Sequence, residues 1–291
     1  MGESLLTAGA VALSLGVLYA VLGVGFAVVY GLLGEANLAF GDAAVLGLIV
    51  ASAIYGATGS LLLTALSAVV VGVVATVVVE RVAVNPLRGR GTALAPIIAT
   101  IGAALVLRNL SLAPFGAEDR SFPQLFGRGA LVAGTTSLDA TVIAGLAALL
   151  AAAAAGAYVF RRRWGQAVIA VRDAPVGARL TGIPASRVVL SLYAVAGLFG
   201  AVGGVLVGAH VRTVGAELSW RTTLLAFTAA IIGGGSLRGA ALGGFALGAV
   251  EAVAQVLLGS IWAEAFALLL LLAVILIRPS GLQRRQVTSR L

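Results

Sequence analysis

Apolar runs about as long as a bilayer is thick recur along the whole chain, and no other feature limits its fold so tightly. A helix needs about 20 predominantly apolar residues to cross the hydrocarbon core. Blocks of this kind fall near 5–30, 43–56, 61–79, 93–112, 138–160, 188–210, 223–233, 240–258 and 262–277. Solid runs such as "LLLTALSAVVVGVVATVVV" (61–79) and "AFALLLLLAVILI" (265–277) do not alternate. That argues against a transmembrane barrel, whose strands alternate over about 10 residues. Only 10% of the 291 residues are charged, against about a quarter in a soluble domain. The chain is therefore expected to be an all-α, polytopic membrane protein held in the lipid bilayer. About 8–10 transmembrane helices are expected, in a single domain over 1–291.

Charge orients these helices. The formal net charge is +8, and all 19 basic residues are Arg. They gather at Arg81, Arg88 and Arg90, at Arg161, Arg162, Arg163, Arg172, Arg179 and Arg187, and at Arg278, Arg284, Arg285 and Arg290. Clustering in short segments between or after apolar blocks is the positive-inside pattern of a membrane protein, so no nucleic-acid partner is expected. The 113–137 segment mixes Glu118 and Asp119 with Arg120 and Arg128, contains Pro114 and Pro123, and suits an external loop. Nine crossings with the N-terminus outside satisfy these constraints, with 223–233 short enough to suit a re-entrant hairpin as well. The first block has no basic residue before it and no obvious cleavage site, and reads as a span rather than a removed signal peptide. Without Cys there are no disulfides.

Glycine is the second signal, with 39 residues, many of them inside apolar blocks. Most suit close helix packing, which drives association in lipid. The triplet Gly233, Gly234 and Gly235 disfavours a continuous helix and marks a break, tolerated in a membrane only when buried in protein or lining a cavity. The polar stretch "GEANLAFGD" (34–42), with Gly34, Asn37, Gly41 and Asp42, is the second expected break. "GLLGEANLAFGDAAVLG" (31–47) echoes "AIIGGGSLRGAALGG" (230–244), and similar exits follow at "VNPLRG" (84–89) and "IRPSGL" (277–282). Two weakly related halves with broken helices are a transporter pattern, the path forming between the repeats. Asp42 reads either as an N-cap of the following span or as a path residue attracting an amino group. Glu35 reads as facing water. Glu251, with Gln255 one turn on, is costly in lipid and is expected to face the bundle interior, paired there or on the path.

Groups for covalent chemistry are scarce. The single His, His210, lies at the outer end of a span beside Arg212 and reads as an interfacial anchor. There is no HExxH pair, no G-x-S-x-G elbow and no Cys/His metal set, so neither an enzyme nor a metal or cofactor is expected. No Walker A segment is present, and any ATP used must be hydrolysed by another chain. The best-marked polar motif is "RRRWGQAVIAVRDAPVGARLTGIPASR" (161–187), too polar to span and too long for a simple turn. "QAVIAVRD" and "PVGARLTGI" suit two short helices, with Pro175 at the start of the second and Gly182 at its end. The residues alone leave it open between a docking surface and a loop that fixes topology.

Taken in order, "GQAVIAVRDAPVGARLTGI", an apolar span and "AFTAAIIGGGSLRGAALGGFALGAVEA" resemble the permease subunit of branched-chain amino acid ABC importers, the LivH-type family. "VYGLLGEANLAFGDAAVLG" and "ERVAVNPLRGRGTALAPIIATIGAALVLRN" resemble that family's N-terminal half, and the likeness covers about residues 10 to 282. The resemblance implies a subunit of the cytoplasmic (inner) membrane that moves Leu, Ile or Val. Its partners would be a second homologous permease subunit, two ABC ATPase subunits and an extracytoplasmic substrate-binding protein. Permeases of the same family for urea or short amides, and an ATPase-independent secondary transporter, are the alternatives.

The resemblance also implies that 163–183 holds a coupling helix docking into a groove of the ATPase. Asp173, Ala178, Arg179, Leu180, Gly182 and Ile183 stand at matching positions. Val176 and Gly177 replace an acid and an alanine frequent in the family, and Ile169 stands where an Arg is frequent, leaving Arg172 to supply charge to the partner. Against the family stretch N-F-A-H-G-E, Asn37, Ala39 and Gly41 agree, while Leu38, Phe40 and Asp42 differ.

Overall fold

The computed structural model describes residues 2–88, 94–123, 131–133, 136–138, 140–160 and 163–277. Arg90, Arg128, Arg161, Arg162, the C-terminal Arg cluster and most of the "IRPSGL" exit lie outside the described residues. Nine helices carry the nine apolar blocks: α1 (Gly2–Leu33), α2 (Phe40–Thr58), α3 (Leu61–Val79), α4 (Ala95–Phe115), α5 (Ala140–Phe160), α8 (Ala185–Val211), α9 (Glu217–Ile232), α10 (Leu237–Leu258) and α11 (Ser260–Ile277). Two short helices, α6 (Arg163–Asp173) and α7 (Pro175–Leu180), fall in the Arg-rich segment between α5 and α8. Strand β1 (Arg120–Ser121) pairs antiparallel with β4 (Thr213–Val214), and β2 (Leu131–Ala133) with β3 (Thr136–Leu138). The protein is all-α and polytopic. Among the described residues, α1, α2, α3, α4, α8 and α10 are the six helices long and apolar enough to cross a membrane.

Local chemistry sets the helix ends. Gly59, in the left-handed region at φ 65°, closes α2 by donating its N–H to the Tyr55 carbonyl at 2.8 Å. The Ser60 hydroxyl then caps α3 by accepting from the Leu63 N–H at 3.4 Å. Past α3 the chain loosens into a π-turn over Glu80–Val84 and a 3-10 turn over Asn85–Leu87, where Pro86 removes a donor.

Helix α1 is the axis of the bundle, packed by α10, α8, α9 and α5. Its contact with α10 runs backbone to backbone: a Cβ on Gly244 would strike Ala20, and one on Gly248 would strike Gly16. In lipid such close approach, summed along two helices, supplies the packing that water exclusion supplies in a soluble core. Glycine therefore fixes which helix faces α1.

These contacts also set levels along the bundle. Gly25 of α1 meets both Phe40 and Phe199. Helix α1 continues for eight more residues to Leu33, about 12 Å at 1.5 Å per residue. The six residues Gly34–Ala39 climb back before α2 starts, so α2 begins inside the bundle and not at its edge. Helix α9 is 16 residues long, about 24 Å, and falls short of a full crossing. It begins where Ser219 touches Gly41 and ends at the Gly-rich turn before α10. Thr76 of α3 lies against Gly197 of α8, which brings Arg81 and Arg88 to the same end as Arg187 and α6–α7. At the opposite end, Arg120 pairs with Val214 in the β1–β4 ladder and the Phe122 N–H donates to the Arg212 carbonyl at 2.9 Å.

Candidate functional site

The two Gly-rich discontinuities face one another. Gly34 takes φ 76°, and Gly234 and Gly235 take 64° and 70°, conformations that L side chains resist. A Cβ on Gly31 would strike the Gly235 carbonyl, so the end of α1 rests directly on the α9–α10 turn. Ser236 caps α10 by accepting from the Gly239 N–H at 3.1 Å.

The first break lies at membrane depth, where every freed backbone group needs a protein partner. Side chains from three directions provide them. The Leu38 N–H donates to Thr100 Oγ1 of α4 at 3.2 Å, the Ala39 N–H to Asn37 Oδ1 at 3.1 Å, and the Gly41 N–H to Thr223 Oγ1 of α9 at 2.9 Å. A Cβ on Gly41 would strike Ser219 and Thr223, so glycine is required for α9 to reach the start of α2.

Asp42 is not the N-cap the sequence suggested. Helix α2 starts at Phe40, Ala39 holds the cap position without a side-chain bond, and Asp42 sits in the first turn. A carboxylate there still gains from the helix dipole. It is 4% exposed, and its Oδ1 lies 3.6 Å from Arg108 Nε of α4. Oδ1 itself makes no hydrogen bond, and neither does Asn37 Nδ2.

Glu251 of α10 is 2% exposed and accepts from Arg221 Nη2 of α9 at 3.3 Å, leaving Oε2 without a hydrogen bond. It lies apart from the Gly31–Gly235 contact, on the half of α10 that reaches away from it.

Glu35 does not face water. Its carboxylate takes two parallel bonds of 2.9 Å from Arg88 and a third of 3.0 Å from the Tyr193 hydroxyl of α8. Arg88 also donates to Glu80 Oε1 at 3.1 Å, and Glu80 is fully buried. Burial works against the Arg88 charge, but hydrogen bonding and attraction from Glu35, with Glu80, hold its pKa above the ordinary guanidinium value. Glu80, Tyr193, Arg108 and Arg221 were not singled out from sequence. For Arg108 a signal existed, since it stands alone inside an apolar block, and ionisable residues at such positions are functional by default.

In the Arg-rich segment, Pro175 opens α7 and Gly182 follows it at φ 79°. Ala178 is buried and its carbonyl accepts from the Ile183 N–H at 2.9 Å, seating the turn against the bundle. Asp173, Arg179, Leu180 and Gly182 are exposed. Leu180, at 84% exposure, stands clear of the protein, with Val176 and Ile169 also exposed. Arg172 pairs with its neighbour Asp173 at 2.7 Å. Among the described residues no cluster of His, Asp or Glu could hold a metal ion.

A family model described as "Branched-chain amino acid transport system / permease component" matches residues 10–277. The chain is similar to the high-affinity branched-chain amino acid transport system permease protein LivH of Escherichia coli, 30% identical over 287 residues, covering 94% of this chain and 93% of that protein. It is similar to the corresponding permease protein BraD of Pseudomonas aeruginosa, 30% identical over 289 residues and 94% of each chain. Among solved structures, a chain of PsaBC from Streptococcus pneumoniae in complex with Fab superposes with a TM-score of 0.51 over 95% of this chain and 92% of that one. At 16% identity that likeness concerns the fold alone.

Proposed function

The chain belongs to the family of branched-chain amino acid transport permease components, and from that premise we propose that it is the membrane subunit of an ABC importer moving Leu, Ile or Val inward across the cytoplasmic membrane. The observation that carries this reading is the exposed apolar edge of α6–α7. Leu180, Val176 and Ile169 stand in the open at the Arg-rich end, which the positive-inside rule assigns to the cytoplasm. Large apolar side chains projecting into water outside the bilayer mark an interaction surface. Arg179 and the Arg172–Asp173 pair border it with charge.

The partner at this surface is an ATPase subunit, since the chain has no phosphate-binding loop of its own. ATP binding moves α7, and α7 is joined through Gly182–Pro184 to the first turn of α8. Helix α8 carries Tyr193, which holds Glu35 in the break between α1 and α2. Motion of the ATPases thus reaches the two helix breaks, with Gly34, Asn37, Gly41 and Asp42 on one side and Gly233, Gly234 and Gly235 on the other. Glu251 is assigned to bundle pairing with Arg221 ahead of contact with the solute. A second homologous permease completes the path, and a binding protein delivers the solute from outside.

Reconstitution with the two ATPases, the second permease and the binding protein tests the proposal. ATP-driven uptake of leucine is expected in the wild type. The double variant Arg179→Glu, Leu180→Asp is expected to lose ATPase association and uptake while remaining in the membrane. Full uptake in that variant would sink the importer reading.

A further inference from the structure

The Asp42 site is built differently from an ordinary buried ion pair. Arg108 Nε stands 3.6 Å from Asp42 Oδ1, beyond hydrogen-bond reach, although both belong to groups that form short bonds when the geometry closes. Oδ1 is left with no hydrogen bond at all, and so is the Asn37 amide, 3% exposed in the same break. Elsewhere in the chain the opposite is found, with Arg88 closing fully on Glu35 at 2.9 Å. The Glu251 and Glu80 carboxylates are also incompletely bonded, but each still accepts one hydrogen bond from an Arg, at 3.3 and 3.1 Å, whereas the Arg108–Asp42 pair closes none.

The position is equally particular. Asp42 lies near the level of Gly25 and Gly200, through its neighbour Phe40, and so well within the span of α1 and α8. Arg108 keeps 28% of its side chain exposed at this depth. A guanidinium at mid-membrane is costly against hydrocarbon, and such residues almost always face a bundle interior or a water-filled route. An unbonded acceptor on Asp42 thus faces the Arg108 guanidinium at 3.6 Å, beside a helix break that also holds the unbonded Asn37 amide.

We infer that Asp42, Arg108 and Asn37 form a transit subsite for the zwitterionic head of an α-amino acid. The ammonium group is taken by Asp42 Oδ1, and the carboxylate by the Arg108 guanidinium with the Asn37 amide. Both charges of the solute are matched without leaving a net charge in the membrane, which is what a free amino acid needs at that depth. The pair is loose because it is made to open around the solute, and its weak grip suits a site that must release what it binds. The subsite reads the head group common to all α-amino acids, so choice of side chain is left to other parts of the importer. This inference rests on the reading of the chain as an amino-acid permease.

The test uses the reconstituted importer with leucine, isoleucine, valine, urea and acetamide as probes. Variants are Asp42→Asn, Arg108→Gln, the double variant and Asp42→Glu, each measured for uptake, complex assembly and ATP hydrolysis. Either single neutral variant is expected to lower leucine uptake at least tenfold with assembly and basal hydrolysis retained. Asp42→Glu is expected to retain uptake. The double neutral variant distinguishes the roles, since it removes both charges together and leaves no unpaired ion to destabilise the bundle. As a subsite it stays at least tenfold down. Recovery of the double variant to within twofold of wild type would overturn the subsite and leave a structural pair. A wild type that moves urea or acetamide and no amino acid would overturn the permease reading and the subsite together, whereas leucine uptake surviving in the double variant removes the subsite alone.

Discussion

Arg88 grips Glu35 through two parallel N–H···O bonds of 2.9 Å, joining the loop after α3 to the break between α1 and α2. The same guanidinium reaches Glu80, and Tyr193 completes the carboxylate from α8. Three segments far apart in the chain, carrying Glu35, Glu80 with Arg88, and Tyr193, are fastened at one point near the Arg-rich end. Two acids share one Arg, with Arg81 at 3.8 Å from Glu80 as a distant second cation.

Removing Arg88 is therefore expected to cost more than removing either acid. Arg88→Gln leaves a mostly buried Glu35 without a counter-ion and a fully buried Glu80 with only the distant Arg81, a loss on the order of 3 kcal/mol for a broken buried pair. Glu35→Gln keeps the Arg88–Glu80 bond and loses less. Adding Glu35→Gln and Glu80→Gln to Arg88→Gln should recover most of the loss. Thermal unfolding of the purified chain in detergent reads the order. A single acid-to-amide change as damaging as Arg88→Gln would refute the shared-cation arrangement.

The pair at Glu251 makes an asymmetric prediction. Arg221→Ala strands a buried carboxylate and is expected to lower stability by about 3 kcal/mol. Glu251→Gln leaves a partly exposed Arg that reaches water, and is expected to cost about 1 kcal/mol. Equal losses in the same unfolding assay would mean that Arg221 does not carry the burial of Glu251.

Tyr193 offers a test of communication. Tyr193→Phe keeps the ring and deletes one hydrogen bond of 3.0 Å to Glu35, worth about 1.5–3 kcal/mol to a charged acceptor. If α8 passes the motion of α7 to the break through this bond, the reconstituted importer should hydrolyse ATP near the wild-type rate while moving fewer leucines per ATP. An unchanged ratio of transport to hydrolysis would confine Tyr193 to packing.

What the sequence made legible follows from what is local. Each apolar block became a helix because length and composition act within one segment. Pro175 and Gly182 framed α7 for the same reason. The misreadings concern partners distant in sequence. Glu35 looked solvated because nothing near it in sequence neutralises it, whereas its partner Arg88 follows a whole helix and return later. Arg88 in turn looked like a topology marker. Asp42 seemed a cap because α2 was expected to begin at it, but the helix starts two residues earlier, where Thr223 of α9 satisfies the Gly41 N–H. A tertiary acceptor set the helix boundary, and propensity alone does not contain it.

Glycine gives the sharpest contrast between two substitutions of the same kind. In α4, Gly102 has nothing within 4 Å of a built Cβ, so Gly102→Ala adds helix propensity without a clash and is expected to be neutral or stabilising by up to about 1 kcal/mol. At Gly31 the same methyl meets the Gly235 carbonyl across the two breaks. There α1 and the α9–α10 turn have to separate, and neither can yield freely, since Gly235 sits at φ 70° and α10 is pinned to α1 at Gly244 and Gly248. Gly31→Ala is expected to cost about 1–3 kcal/mol, as overpacking of a tight contact does, and Gly31→Val more. Unfolding midpoints of the isolated chain check the ranking, and proteolysis at 34–39 and 233–236 checks the cause, because separated breaks should both become cleavable. Gly31→Ala as benign as Gly102→Ala would show that the two breaks do not press on each other.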